Sequence, residues 1–586
     1  MQETRAVQPV RETWLAVTSL LKPHRQGIFL GLLAATVNRI SLLLGPVCVS
    51  YMIDTVLVRE LVGSVWPVVG IMFGAALLEA ASARTCVHFL ASSVDQLIAD
   101  LRNKLQAHLL RLPVTFYDRT PTGELLSRLM NDTEVLHSIL GTNLSAGVSE
   151  TLYVIVAVGY LLWLSPRMTA AIVPFLLFGL VVSYLSSAKT DDLFLARRRH
   201  SASLTSSTND TLGGIRTLKI YRAEEKQAEK FRKVSRALSL ASIRSKRVCS
   251  TIDSTSAFTL GSMGAVVMYI GARQVLSHGL SIGNFAAYAM VLWSAMWPLL
   301  NLVNIVLLMF DGLSGLGRVI ELFNEPAEEA RASGLAVSPA SGFVGRIEMD
   351  RVSFCYDNGV SVLRDITFST EPGSVTAIVG TSGAGKSTIM SILAGLYTPS
   401  GGTVLIDGVD LSEITLKSYR RQIALVQQTT FLFPGTIRQN VLLANPSASE
   451  EELTVACRIA GVERFVEAFA EKLNAPVGER GILLSGGQQQ RISIARALLA
   501  KPMILLMDEA SASLDLESEA VITEALSELM FSRTTIVVAH RLSTIRRADQ
   551  ILVLDKGRIV ERGTHDWLQM HGERYRALYE QEIHTN

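Results

Sequence analysis

The sequence predicts a multi-domain membrane protein in which a six-helix α transmembrane domain is followed by an α/β domain. Three observations support this fold class. Of the 586 residues, 49% are hydrophobic and only 18% are charged. The long apolar stretches all precede residue 311, and short β-like runs alternate with helical patterns after residue 346. Because soluble domains carry about 25% charged residues, the composition excludes a wholly soluble enzyme of this size.

The charge balance narrows the class of partner. The chain has 55 Lys and Arg against 53 Asp and Glu, a formal net charge of +2. A nucleic-acid binder needs a basic surface, so we expect no nucleic-acid partner. The five cysteines are widely scattered and form no CxxC or Cys/His cluster, so neither a disulfide framework nor a zinc site is indicated.

Residues 1–25 form the first predicted element, an N-terminal cytoplasmic segment. Within it, Arg11–Arg25 has apolar residues at helical spacing, namely Trp14, Val17, Leu20 and Leu21. This pattern predicts an elbow helix lying at the membrane interface. An ordinary solvent-flanked helix end is the alternative.

Residues 26–310 form the predicted transmembrane domain. Most of its six apolar stretches reach the ~20 residues that cross a ~30 Å hydrocarbon core. The stretches are about Gly27–Ile53, Val65–Phe89, Leu140–Leu164, Met168–Leu185, Ser254–Ala272 and Phe285–Met309. Lys and Arg concentrate in the two long connections, 93–139 and 188–250, which we therefore place in the cytoplasm with both termini. We expect a multi-pass protein of the cell (inner) membrane, in contact with membrane lipids.

Each long connection contains one marked turn region. Pro121 and Gly123 break the helical pattern of 117–134, and Gly213 and Gly214 break that of 209–225. Exposed turns on long helices are suited to docking on a partner domain.

A linker is predicted at 311–345 and an α/β domain at 346–586. The segment GTSGAGKS fits G-x-x-x-x-G-K-[ST], follows the apolar run Val375–Val379 and precedes the helical Thr388–Leu396. It therefore predicts a P-loop NTPase that binds ATP with Mg²⁺. Lys386 would reach the β- and γ-phosphates, and the Ser387 hydroxyl would ligate Mg²⁺. We assign the nucleotide contacts here to Gly380, Thr381, Ser382, Gly383, Ala384, Gly385, Lys386, Ser387 and Thr388.

Two further segments complete the predicted site. The buried run Met503–Met507 ends in Asp508 and Glu509. We assign Asp508 to the metal and Glu509 to the attacking water, as general base. Between the two motifs lies LSGGQ at a helix start, a second anion-binding geometry contributed by Ser485, Gly486, Gly487 and Gln488. Since one nucleotide does not need two cradles from one domain, we expect a dimer in which each cradle closes on the partner's ATP.

The order of P-loop, LSGGQ, hydrophobic-Asp-Glu and a later histidine resembles the ATPase of the ATP-binding cassette (ABC) transporters. Six spans ahead of it on one chain are similar to an exporter-type half-transporter (type I exporter, type IV fold). The resemblance covers nearly the whole chain. It implies that Tyr356 stacks on adenine, that Gln428 links Mg²⁺ and water to the membrane domain, that Asp515 reaches across the dimer and that His540 contacts the γ-phosphate. Thr429 departs from the acidic or amide residue usual after the glutamine.

The resemblance also assigns the connecting segments. Val477–Gly481 resembles the exporter stretch that touches the coupling helices, and the two turn regions match those helices, with Asp210 where many relatives have Glu. It implies an ATP hydrolase coupled to transport, which exports an amphipathic small molecule, peptide or lipid by alternating access. A lipid flippase, a peptide exporter, an importer of the same fold and an ATP-gated channel are the alternatives, and a soluble ABC ATPase is disfavoured by the six spans. Intact motifs on one chain favour a homodimer over a pair of different half-transporters.

Cargo contacts are sought among ionisable residues inside the spans. Arg39 could contact an anionic group of the cargo. The alternatives are that Glu79 pairs with Arg39 or Arg84 inside the bundle, or that the charges snorkel. Asn38 and Glu150 are the other polar candidates, and the cargo itself is not written in the sequence.

Overall fold

The computed structural model describes residues 22–58, 60, 62–328, 343–356, 359–508, 516–539 and 545–585. The chain divides into two compact units, of which the first comprises Met1–Lys104 and Ser127–Glu321 and the second Leu105–Leu126 and Leu322–Asn586. Most of the predicted elbow helix (residues 11–21) and residues 329–342 of the predicted linker lie outside the described residues.

The chain before the α/β domain is built from helices. They are α1 Arg25–Ser41, α2 Leu44–Tyr51, α3 Val65–Cys86, α4 Ser92–Leu109, α5 Val114–Arg119, α6 Thr122–Ser127, α7 Thr133–Ser138, α8 Leu144–Leu164, α9 Pro166–Gly213, α10 Ile215–Ile220, α11 Glu224–Leu276 and α12 Ile282–Asn324. Short π-helical segments join several of them: Met52–Leu57, Val87–Ala91, Arg128–Asp132 and Ile139–Asn143. All six predicted apolar stretches fall within these helical segments.

Length and apolar composition show which of these helices could cross a membrane. Among the described residues, three continuous helical stretches are long and apolar enough to cross a membrane, Lys22–Leu57, Val65–Leu109 and Thr122–Leu164, and Pro166–Gly179 is a shorter apolar stretch. The fourth to sixth predicted spans lie in α9, α11 and α12, which are 48, 53 and 43 residues long. At ~1.5 Å rise per residue, each of these helices is longer than a hydrocarbon core is thick.

The turn regions differ in how well their breaks were predicted. α9 ends at Gly213 with Gly214 as its C-cap, so the predicted break at this glycine pair is confirmed. Pro121 lies between α5 and α6, as expected. The predicted break at Gly123 is wrong, because Gly123 lies inside α6. Proline removes an N–H and obstructs a helix, whereas a single glycine weakens a helix by only about 1 kcal/mol.

The last membrane helix continues further than the composition suggested. α12 extends to Asn324, through residues that we assigned to the linker from 311 onward. Leu316, Val319 and Leu322 are buried, and their spacing of three residues gives this segment one apolar face. Burial of that face stabilises the helix, although the rest of this segment is more polar than the membrane spans before it.

The second unit contains the α/β domain, with two sheets. Its strands are β1 Ile347–Cys355, β2 Ser361–Thr370, β3 Val375–Gly380, β4 Gly401–Ile406, β5 Val409–Asp410, β6 Ile423–Val426, β7 Ile504–Asp508, β8 Thr534–Val538, β9 Gln550–Asp555 and β10 Arg558–Gly563. The antiparallel sheet has the order β2-β1-β4-β5, and the six-stranded sheet has the order β10-β9-β3-β8-β7-β6. The six-stranded sheet is parallel except at β9–β10.

The α-helices of the α/β domain pack around its sheets. They are α13 Lys386–Leu393, α14 Leu416–Arg420, α15 Ile437–Leu442, α16 Glu450–Ile459, α17 Val462–Val466, α18 Gly486–Ala500, α19 Leu516–Met530, α20 His565–His571 and α21 Glu573–Thr585. Alternate residues of β3 enter two cores: Ala377 and Val379 pack with Ile492 of α18, and Ile378 packs with Ile389 of α13. Burial on both faces explains why the parallel strands are continuous apolar runs.

Candidate nucleotide site

The P-loop connects β3 to α13, as the strand–loop–helix pattern predicted. Gly380, Gly383 and Gly385 have φ of +155°, +77° and +107°, values that side chains rarely adopt. A Cβ on Gly380 would lie 2.2 Å from the Leu554 carbonyl oxygen, and one on Gly385 would lie 2.7 Å from Leu363 Cδ2. The glycines therefore permit a tight loop that passes directly against its neighbours.

Lys386 begins α13 and is only 8% exposed. Its Nζ donates to the carbonyl oxygens of Gly380 and Thr381 at 2.8 and 3.0 Å. The ammonium therefore lies against the loop that precedes it. A charged donor held here by backbone carbonyls is positioned to bind phosphate oxygens at the start of the helix.

Ser387 and Asp508 come together across the sheet edge. Ser387 Oγ donates to Asp508 Oδ2 over 3.2 Å, although 121 residues separate them in the chain. A hydroxyl and a carboxylate oxygen are the hard ligands that Mg²⁺ prefers. The donor set thus fits the predicted metal site, with Asp508 at the carboxyl end of β7.

The remaining predicted catalytic groups follow the ends of adjacent strands. Asp508 of β7 pairs with Val538 of β8 in a parallel ladder, and β8 also pairs with the P-loop strand β3. Parallel strands present their carboxyl ends at one edge, where ligands bind in open α/β sheets. Glu509, Asp515 and His540, which follow β7 and β8 in the sequence, lie outside the described residues, and their roles stay predictions.

Tyr356 follows β1 and is partly buried beside the P-loop helix. Its hydroxyl lies 3.2 Å from Thr388 Oγ1, and its ring meets Phe354 edge to face at 5.0 Å. These contacts leave an aromatic ring anchored next to the predicted phosphate contacts, as a role in adenine stacking requires.

Ser485 is the N-cap of α18, and Gln488 completes a capping box. Ser485 Oγ accepts from the Gln488 N–H at 3.3 Å, and Gln488 Oε1 accepts from the Ser485 N–H at 2.9 Å. Gly486 and Gly487 form the first turn of α18. The predicted helix start is confirmed, and its N-terminus bears positive potential.

Gln428 lies two residues beyond β6, which pairs with β7. The segment after Gln428 is tied to α18 by contacts that the sequence did not predict. Thr430 Oγ1 donates to Gln490 Oε1 at 3.1 Å, and Arg496 Nη1 donates to the Phe431 carbonyl oxygen at 2.8 Å. Burial lowers the pKa of Arg496. The run of three glutamines at Gln488–Gln490 was the feature of the sequence that could have indicated a contact of this kind.

Tyr397 is a further residue that the sequence analysis missed. Its hydroxyl donates to Asp118 Oδ2 at 2.8 Å, and its ring contacts Tyr356 edge to face at 5.8 Å. Burial, followed by the hydrogen bond to Asp118, raises the pKa of Tyr397. Asp118 belongs to α5, so Tyr397 connects the first of the two predicted turn regions to the aromatic ring proposed for adenine. A tyrosine in Leu-Tyr-Thr-Pro carries no local pattern that reveals this contact.

Two ionisable residues of the membrane helices, Arg39 and Glu150, form an internal cluster with Asn301. Arg39 Nη2 donates to Glu150 Oε1 at 3.1 Å, and Asn301 Nδ2 donates to both carboxylate oxygens at 3.1 and 3.0 Å. Glu150 is 1% exposed. The acidic partner of Arg39 is Glu150, so the Arg39–Glu79 pairing that we considered is wrong. Asn38 Nδ2 instead donates to the Glu79 carbonyl oxygen at 2.8 Å.

Comparisons with known proteins match both units. Residues 28–299 match the family described as the ABC transporter transmembrane region, and residues 363–512 match the family described as ABC transporter. An uncharacterised ABC transporter ATP-binding protein of Bacillus subtilis is 31% identical over 98% of this chain and 94% of its own length. A putative multidrug export ATP-binding/permease protein of Staphylococcus aureus is 32% identical over 95% of this chain and 98% of its own.

A solved structure agrees with these matches. The structure of a bacterial Atm1-family ABC exporter with ATP bound superimposes with a TM-score of 0.81 at 26% identity, covering 96% of this chain and 99% of that chain. The predicted fold class, a transmembrane domain followed by an ABC cassette, is confirmed.

Proposed function

This chain belongs to the ABC transporter family, as an ATP hydrolase coupled to membrane transport, and on that premise we propose that it is an exporter. It moves an amphipathic small molecule, peptide or lipid out of the cytoplasm or the inner leaflet. The exporters named above among its relatives and structural neighbours support this direction. The cell (inner) membrane is the proposed location, with the ATPase domain and both termini in the cytoplasm.

The observation that carries the proposal is the contact between Ser387 and Asp508 at the end of the P-loop. It brings the loop proposed to bind phosphate beside the carboxylate proposed to bind the metal, on a chain that also contains long apolar helices. Mg²⁺ held by Ser387, Asp508 and Gln428 would neutralise charge on the β- and γ-phosphates. Tyr356 would stack on the adenine ring.

Hydrolysis requires one proton transfer and one displacement. Water attacks the γ-phosphorus as the bond to the β–γ bridging oxygen breaks, which releases ADP and phosphate. Glu509 accepts the proton of the attacking water, and His540 contacts the γ-phosphate. Lys386 donates to the charged phosphate oxygens in the transition state, where a preorganised cation has its largest effect.

Two copies of the chain assemble around two nucleotides. The N-terminus of α18, capped by Ser485 and Gln488, presents backbone N–H groups to the phosphates of the partner's ATP, and Asp515 reaches across the dimer. ATP binding closes the two cassettes and turns the cavity outward, and hydrolysis resets it. Cargo must bind the inward-facing state more tightly than the outward-facing state for net export.

ATPase measurements on purified, reconstituted protein test the chemistry. We expect Glu509→Gln to bind ATP and close its cassettes but to lose turnover, because the amide cannot accept the water proton. Glu524→Gln, an exposed carboxylate of α19, is the matched control and should hydrolyse ATP normally. Hydrolysis at the wild-type rate by Glu509→Gln would exclude the general-base assignment.

Uptake into proteoliposomes or inside-out vesicles tests the direction and the cargo class. Labelled lipids, peptides and amphipathic drugs are supplied on the cassette side, with Glu509→Gln as the inactive control. Uphill uptake of one class identifies an exporter of that class, and movement of lipid between leaflets identifies a flippase. Passive ion current on addition of ATP would instead favour a channel, and cassette-side accumulation would favour an importer.

A further inference from the structure

The chain that follows the last membrane helix crosses the first cytoplasmic turn region. Glu325 Oε2 accepts from Arg119 Nη2 at 3.0 Å, and the Glu325 carbonyl oxygen lies 3.1 Å from His108 Nε2. Three residues later, the Glu328 N–H donates to the Arg111 carbonyl oxygen at 2.7 Å. Both the end of α4 and α5 are therefore held by the first residues of the linker.

The backbone of Glu328 contacts the first turn region, whereas its side chain contacts the α/β domain. Its two carboxylate oxygens accept from Arg420 Nη1 and Nη2, each at 2.7 Å. The side chains of Glu328 and Arg420 are 18% and 33% exposed. A bidentate, half-buried pair of this kind is stronger and more directional than the single contacts of exposed ion pairs.

Arg420 also reaches the end of the P-loop helix. Its Nη2 donates to the Gly395 carbonyl oxygen at 2.8 Å, and the neighbouring Tyr419 hydroxyl donates to the Leu393 carbonyl oxygen at 2.5 Å. Leu393 is the last residue of α13, and Gly395 has a φ of +66°, typical of a residue just beyond a helix end. A guanidinium is favourable there, because the carbonyls at a helix C-terminus carry partial negative charge.

We propose that Glu328 is a positioning residue that couples the last membrane helix to the P-loop. The route passes from α12 through the linker to Glu328, then to Arg420, and then to the C-terminal end of α13, whose first residue is Lys386. Movement of α12 reaches the nucleotide site by this route in addition to the cytoplasmic turns. The proposal rests on the exporter function proposed above.

The test compares ATP hydrolysis with the response of the membrane helices in the reconstituted full-length protein. Hydrolysis is measured as kcat and KM. The response is the change in the distance between two spin labels when ATP and vanadate are added. One label is attached to Leu276→Cys in each copy of the dimer, in a background without the natural cysteines. Leu276 is exposed at the predicted outer end of α11. The variants are Glu328→Ala, Glu328→Gln, Arg420→Ala and the double variant with both alanines. Glu413→Ala, an exposed carboxylate of the same domain, is the matched control.

Glu328→Ala should keep kcat within about twofold of wild type while the nucleotide-dependent population shift falls about three- to tenfold. Glu328→Gln should be intermediate, since an amide retains a hydrogen bond to Arg420 without the charge. The double variant should be no worse than Arg420→Ala alone, because the two residues act in series.

Three outcomes overturn the proposal. One is a wild-type shift in Glu328→Ala and Glu328→Gln. Another is a loss of ATP hydrolysis in proportion to the loss of the nucleotide-dependent population shift in both Glu328 variants, which indicates a merely structural role. A wild-type protein without any nucleotide-dependent shift overturns both this proposal and the exporter on which it rests.

Discussion

The P-loop and the cluster of Arg39, Glu150 and Asn301 both bury charged side chains. The two sites differ in how far along the chain the hydrogen-bond partners of those charges lie. Lys386 donates to carbonyl oxygens only six and five residues before it. Glu150 is held by Arg39 and Asn301, which are 111 and 151 residues away. The first arrangement is local and is repeated wherever its motif occurs, whereas the second exists only once three helices have packed.

The two arrangements also differ in what a ligand would have to replace. Lys386 donates to the neutral carbonyls of Gly380 and Thr381, and a charged phosphate oxygen is a stronger acceptor than either carbonyl. Glu150 already accepts from the Arg39 guanidinium at one carboxylate oxygen and from the Asn301 amide at both. Separating Arg39 from Glu150 would leave a buried charge without its counter-charge. The P-loop is thus prepared for a ligand, and the Glu150 cluster stabilises the helices.

The largest expected effect comes from Lys386. Lys386→Ala should reduce kcat for ATP on the order of 100-fold or more, the scale of losing one preorganised electrostatic contact to the reacting group. Membrane insertion should be unchanged, and the melting temperature should fall by much less than the activity. ATPase assays and thermal melts on the same preparation check this. Retained turnover would contradict the assignment of Lys386 to the phosphates.

Glu150→Ala should show the opposite pattern. Removing one partner of a buried ion pair costs about 3 kcal/mol or more, so the membrane domain should melt several degrees lower while the ATP KM stays unchanged. Glu79→Ala is the matched control, because Glu79 forms no ion pair with any residue that the structure describes. Arg39→Ala in the Glu150→Ala background should recover part of the loss. A normal melting temperature combined with a changed cargo-stimulated ATPase would assign the cluster to cargo instead.

Two capping boxes of the cassette allow a smaller and more selective comparison. Ser485 caps α18, and Ser449 caps α16 through the equivalent exchange with Glu452. Ser→Ala at either position should cost about 1 kcal/mol of cassette stability. Only Ser485→Ala should also lower ATPase activity, because only the N-terminus of α18 is proposed to contact the partner's nucleotide. Equal ATPase losses in the two variants would contradict that contact.

What the sequence predicted correctly has a common physical basis. The P-loop, the cap at Ser485 and the buried run ending at Asp508 each depend on neighbours within a few residues, so a local pattern contains the information. Gly123 misled because a glycine only weakens a helix, and packing decides whether the helix forms. The Arg39–Glu150 and Tyr397–Asp118 contacts depend on packing between distant segments, for which a single sequence carries no signal.

The smallest expected effect is a difference in how two thiols respond to ATP. Cys457 lies in α16 with its side chain buried in the cassette core, and burial raises its pKa to about 12. The thiolate, which is the reactive form, therefore stays scarce at pH 7 to 9 and accumulates only as the pH approaches 12. Cys355 is exposed and immediately precedes Tyr356. Iodoacetamide should label the exposed Cys355 in the native protein and leave Cys457 unlabelled until denaturation.

ATP should slow the labelling of Cys355 modestly, because a nucleotide stacked on Tyr356 restricts access to the adjacent residue. Labelling of Cys457 should be the same with and without ATP, which makes it an internal control read by mass spectrometry in the same sample. Protection of Cys355 in Lys386→Ala at wild-type ATP concentrations would show that adenine binding does not need the phosphate contact. Labelling of native Cys457 that depends on ATP would instead mean that nucleotide opens the cassette core, and that the cassette responds to its ligand well beyond the loop that binds it.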